Sequence, residues 1–191
     1  MSIILAVKKT SGNEDWVVYH SDLGATKYLS LNNSSAVTTG NEIWYGTEPT
    51  STVVYVDNNG RANYPSGQTY IAYCFANSEG FIKAGSYVGN GNADGSFVYT
   101  GFKPAMVLVK FNGSGENWVI ADNKRNPVNV ADNILKPSNS NAEADGSTYA
   151  IDILSNGFKP RTTWEGWNGT GSEGYVYLAF AENPFKYATA R

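Results

Sequence analysis

The chain of 191 residues holds a single cysteine and a single histidine. One cysteine excludes an intrachain disulfide, and beside one histidine it excludes the clustered Cys/His ligand sets of zinc sites. No metal and no cofactor are expected. Charge is scarce too: Asp, Glu, Lys and Arg make up 16% of the residues, and the net charge is −3. The lysines and arginines are scattered, so no basic stripe suited to a phosphate backbone can be read, and no nucleic-acid partner is expected. Apolar runs such as Ile3–Val7 and Ala105–Val109 are strand-length, well below the ~20 residues that cross a bilayer. No membrane insertion is expected. With only Met1 and Ser2 before the first apolar run, no signal peptide is expected. No segment sustains a 3.6-residue apolar period, which argues against a helical bundle.

What the sequence has in quantity is rings and turns, with 14% aromatic residues and 20 glycines. Short β-rich runs separated by Asn, Asp, Ser and Gly read as an all-β protein, a β-sandwich with tight turns. Turns are expected at 11–13, 58–60, 113–115, 156–157 and 169–171, where glycine stands beside Ser, Asn or Thr. Cys74, inside the run Tyr70–Ala76 (YIAYCFA), is expected to be a small buried apolar side chain.

The chain is self-similar. Ile4–Lys8 (ILAVK) resembles Met106–Lys110 (MVLVK), and Glu14–Val18 (EDWVV) resembles Glu116–Ile120 (ENWVI), both at an offset of 102 (4 to 106, 14 to 116). Further on, Asn33–Ala36 matches Asn139–Ala142, Asn58–Gly60 matches Ser155–Gly157, and Tyr70–Ala76 matches Tyr175–Ala181 (YVYLAFA). Matches in conserved order with a slowly drifting offset indicate an internal repeat. The expected organisation is a first β unit at 1–82, a Gly-rich connector at 83–103 and a second β unit at 104–191. The units form either one interlocked sandwich or two small tandem ones. Trp16 and Trp118, and Phe75 and Phe180, hold matched places and are expected to be core anchors. The second unit is entered through Thr100–Pro104 (TGFKP), whereas the first opens directly onto its strand at Ile3. The chain is therefore expected to be a piece of a longer protein.

With these segments in view, the chain resembles an uncharacterised repeat domain of tailed-phage tail fibres and related virion proteins, frequent in marine and cyanobacterial phages. The resemblance is carried by Tyr70–Ala76, Gly85–Gly91 (GSYVGNG), Thr100–Val107 (TGFKPAMV), Leu154–Phe158 (LSNGF) and Leu178–Phe185 (LAFAENPF). It implies a place in a virion, on a tail fibre or the capsid surface, and contact with other virion proteins. It supplies no catalytic or ligand-binding residues.

Signs of catalysis are weak. His20 has Asp122 as its counterpart and no nucleophile-elbow sequence beside it, so it reads as a satisfied or solvent-facing side chain. A glycosidase needs two carboxylates roughly 5 to 10 Å apart. Glu14, Asp15, Glu42, Glu48, Glu165 and Glu173 are available, and context singles out no pair among them. Asn90–Gly95 (NGNADG) lacks the spaced acids of a calcium loop and reads as a turn. No enzymatic activity is expected, with a polysaccharide depolymerase the remaining enzymatic option.

Binding is better signalled by what differs between the units. Trp44 and Tyr45 align with Ala150 and Ile151, while Arg161, Trp164 and Trp167 lie in a loop where the first unit has only Arg61 and Tyr64. Residues free of the shared scaffold can serve recognition, because aromatic faces bury much area at low entropic cost. Arg161, Trp164, Trp167, Trp44 and Tyr45 are therefore the candidate binding residues. The alternative is that the tryptophans cover an open sandwich edge or a subunit seam. The expected function is host attachment through a cell-surface glycan or protein, by a homo-oligomer with a trimer favoured. A purely structural decoration or spacer role is the alternative.

Overall fold

The computed structural model describes residues 2–64 and 67–183. Its regular structure is almost entirely antiparallel β. In the first unit, β1 (Ile3–Lys9), β2 (Val17–His20), β3 (Lys27–Ser30), β4 (Thr38–Thr39) and β5 (Tyr70–Ala76) form one sheet in the order β4-β3-β2-β1-β5. Then come β6 (Ile82–Tyr87), β7 (Val98–Tyr99), β8 (Pro104–Phe111) and β9 (Val119–Asp122), followed by β10 (Ile151–Leu154), β11 (Gly157–Pro160), the single helical turn α1 (Glu165–Asn168) and β12 (Tyr175–Ala181). A second sheet runs β6-β12-β8-β9, and a small one runs β10-β11-β7.

The segments matched in sequence pair in matching registers. In the first unit Ile4 stands opposite His20 and Val7 opposite Val17. In the second, Met106 stands opposite Asp122 and Val109 opposite Val119. The closing strands agree as well, with Phe75 opposite Ile4 and Phe180 opposite Met106. Side chains alternate across a strand, so a one-residue slip would turn every apolar side chain to the wrong face. Matching registers therefore give matching faces.

Those faces build three cores. Ile3, Leu5, Val7, Val17 and Tyr19 point outward beneath the long segment 40–64, with Ile43, Trp44 and Ala62 completing that cluster. Val107, Val109, Phe111, Val119 and Ala121 do the same in the second unit, beneath Ile151, Ile153, Phe158 and Trp167. The inward faces meet each other: Ile4, Val18 and Leu29 pack with Trp118, Val176 and Leu178. Trp118 Nε1 donates to the Ser30 carbonyl at 2.8 Å, and Val37 N donates to the Asn112 carbonyl at 2.8 Å. The units thus share a buried middle core and form one interlocked body.

Three expectations are corrected. The Gly-rich connector expected at 83–103 opens in a strand, since β6 pairs with β12 over six positions from Ile82–Phe180 to Tyr87–Tyr175, while β7 falls within Ser96–Thr100, where the sequence allowed a strand. Cys74 is exposed, because β5 is the last strand of its sheet and β6 covers β12 instead. Trp16 is only half-buried and stacks on Tyr73 at 6.1 Å, whereas its counterpart Trp118 is fully buried.

Candidate functional site

After β11 the chain turns sharply through Arg161–Thr163 into α1. Thr162 Oγ1 accepts the Trp164 N–H at 3.0 Å, and the Trp164 carbonyl accepts N–H groups from Trp167 (3.1 Å) and Asn168 (2.8 Å). This geometry drives Trp167 into the outer core of the second unit. It is wholly buried, and its Nε1 donates to the Tyr149 carbonyl at 3.0 Å. Trp164 stays half-buried, edge-on to Tyr149 at 4.8 Å and to Trp167 at 6.4 Å. The Lys136 ammonium lies 5.1 Å from the Tyr149 ring centre and 5.5 Å from that of Trp164, the range of a cation–π contact. Burial raises the Glu116 carboxyl pKa above its ordinary value, and Glu165 adds to the effect, while Lys136 and Lys110 oppose it.

Asn168 ties this loop to the segment 90–95. Wholly buried, it holds Nδ2 within hydrogen-bond distance of Asn90 Oδ1 (3.0 Å), the Asn92 carbonyl (2.6 Å) and the Thr162 carbonyl (2.9 Å), three acceptors that share its two N–H groups, and its Oδ1 accepts the Asn90 N–H at 2.9 Å. The segment 90–95 is itself folded as consecutive Asx turns, Asn92 N to Asn90 Oδ1 and Asp94 N to Asn92 Oδ1. Asp94 Oδ1 then receives Lys159 Nζ at 2.6 Å and Arg161 Nη1 at 2.8 Å. Lys159 first and Arg161 second hold the Asp94 carboxyl below its usual range. Arg161 is exposed but already committed to this ion cluster.

The other candidates sit elsewhere. Trp44 is buried in the outer core of the first unit, edge-on to Tyr19 at 5.9 Å. Among the described residues its Nε1 finds no hydrogen-bond partner. Tyr45 is 65% exposed and holds a φ of 58°, a left-handed conformation that costs a non-glycine residue roughly 1–2 kcal/mol. Trp44 and Trp167 belong to the two outer clusters, with the middle core between them. The five candidates therefore do not converge on one site. Trp44 and Trp167 are corrected from exposed recognition residues to the plugs of their outer cores. They differ between the units because different segments cover the two sheets.

Sequence reasoning missed Lys136, Tyr149 and Asn168, which are distant in sequence from the segments they hold and carry no motif. It also left His20 open. The imidazole is wholly buried in the middle of the body, with Nδ1 accepting the Asp22 N–H at 3.1 Å and Nε2 3.4 Å from the Tyr177 carbonyl. That arrangement places the proton on Nε2. Burial holds its pKa below 6.5, against the opposing pull of Asp22 and the Tyr177 carbonyl. Between the units opens a crevice of about 630 Å³ lined by Asp22, Lys27, Ser86, Asn112 and Glu173 among others. Among the described residues no group of three or more His, Cys, Asp or Glu could hold a metal ion, and no helix is long and apolar enough to cross a membrane.

Fold and site together define an all-β sandwich of face-packed antiparallel sheets, its tryptophans largely spent on internal packing. A family profile matches residues 1–184. The chain belongs to that family, a domain of unknown function (DUF7483). No curated protein and no solved structure matches it.

Proposed function

We propose that this chain is a non-enzymatic structural module of a tailed-phage virion, a spacer or decoration unit working through assembly with other virion proteins. The resemblance described above supports the virion setting. The observation that carries the structural role is the fate of the tryptophans that differ between the units. Trp44 and Trp167 are buried, and Lys136 lies against the ring of Trp164. A glycan-stacking platform needs an open ring face.

Host attachment through a surface glycan or protein is the second reading, favoured by one residue. Tyr45 projects from its loop in a strained backbone conformation, and such strain concentrates at functional sites. Labelled protein incubated with cyanobacterial cells separates the two. The structural role predicts no saturable binding. Saturable binding that Tyr45→Ala removes, with the fold intact, would transfer the assignment to attachment.

A further inference from the structure

We propose that the outer edge of β5 is a docking site for a second copy of this chain, β5 pairing antiparallel with its own counterpart about a two-fold axis. The inference rests on β5 alone and goes beyond the functional reading above.

The edge is open in a specific way. Thr10 N donates to the Thr69 carbonyl and Asn77 N donates to the Ser2 carbonyl. Residues 69 and 77 therefore turn their backbone groups toward β1, and by the two-residue period of a strand so do 71, 73 and 75. The N–H and C=O groups of Tyr70, Ala72, Cys74 and Ala76 point the other way, where no described strand pairs with them. Ile71 and Tyr73 are 41% and 46% exposed.

The rest of the molecule shows how such edges are closed when the fold closes them. The equivalent strand β12 is covered by β6. The far edge of β6 is occupied in turn: Ser78 and Ile82 exchange backbone hydrogen bonds, and the Asn77 side-chain amide bonds both the N–H and the carbonyl of Ala84. Among the described residues nothing comparable covers β5. Its seven residues, YIAYCFA, include no charge and no proline, the devices by which edge strands repel partners.

A second copy fits because this strand is self-complementary. Centred on Tyr73, antiparallel pairing sets Tyr73 against Tyr73 of the partner subunit, Ile71 against Phe75 of the partner subunit, and Ala72 against Cys74 of the partner subunit. All seven residues overlap and no like charges meet. Cross-strand aromatic and aliphatic pairs of this kind are the units of sheet stabilisation. Two-fold pairing is isologous and closes at two copies.

Sedimentation velocity of the purified protein should show a dimer. Ala72→Pro, which removes an outward N–H, should yield a monomer with unchanged circular dichroism. Independently, the double variant Tyr73→Cys, Cys74→Ser should form an intermolecular disulfide under mild oxidation, since directly opposed Cα atoms in such a pair lie within disulfide reach. A monomeric parent, an oligomer that survives Ala72→Pro, or a Tyr73→Cys, Cys74→Ser protein that stays uncrosslinked would each overturn the assignment.

Discussion

Phe75 and Phe180 meet ring edge to ring face at 5.6 Å, with an interplanar angle of 90°. Each is the same residue of its own unit, so the repeat does more than duplicate a fold: it packs one copy of a surface against another. The middle core is that surface, and most of what can be tested concerns what it holds.

Trp118 is the first test. It fills the middle core without exposure and reaches across to the Ser30 carbonyl. Trp118→Ala should destabilise the protein by about 3–5 kcal/mol, the range for emptying a large aromatic site. Both units should lose protection together in hydrogen exchange, because neither retains a complete core alone.

His20 should govern part of the acid response. Its folded pKa lies below 6.5, so the unfolded chain binds its proton more readily. The stability it supports is fully present above pH 6.5 and is lost as pH falls through the depressed folded value. Urea midpoints measured from pH 7.5 down to 4.5 should fall more steeply for the parent than for His20→Gln. Equal slopes would show that the imidazole titrates freely.

Asn168 should act as the peg of the 90–95 loop. Asn168→Ala strips partners from buried groups, at about 1–3 kcal/mol for each donor or acceptor left unmet. A lowered Tm should appear together with faster amide exchange at Asn90, Asn92 and Asp94. Unchanged exchange there would place the loop's support elsewhere.

At Tyr45 glycine should be the better residue for stability. Tyr45→Gly removes a left-handed conformation that disfavours a Cβ, and a gain of about 1 kcal/mol is expected. The unfolded-state entropy of glycine limits that gain. Thermal unfolding reads it directly, and a loss of stability would mean that the Tyr45 ring makes a stabilising contact within the chain that outweighs its backbone strain.

The frame was legible because strand-length apolar and aromatic runs recur in the same order, at an offset that drifts only from 102 to 105. β1, β2, β5, β8, β9 and β12 all announce themselves that way. β6 did not, because Ile82–Tyr87 carries Lys83 and Gly85 and reads as a loop. The structure supplies the reason for the glycine: a Cβ at Gly85 would lie 2.8 Å from Tyr177 Oη. Burial was misjudged wherever it depended on which element covers a strand. Cys74 sits in the same motif as Ala179, yet one strand ends a sheet and the other is flanked on both sides. For the candidate site, difference between the units was a sound guide to non-shared roles but silent on their kind. A tryptophan that plugs a non-equivalent lid and one that stacks on a ligand look alike in one dimension.

The shared middle core also sets a schedule for biosynthesis. Ile4, Val18, Leu29 and Phe75 leave the ribosome well before Val176, Leu178 and Phe180, the residues that cover them. At the usual pace of translation, roughly 5–20 residues per second, about a hundred residues separate the two faces, an interval of ~5–20 s. During it the nascent first unit carries a water-exposed apolar sheet whose best available partner is the same sheet on a neighbouring polysome. Slow stretches of messenger between the units would lengthen that exposure, and holdase chaperones would shorten its consequences. Yield in recombinant expression should therefore respond to growth temperature and chaperone supply more sharply than the stability of the finished protein suggests.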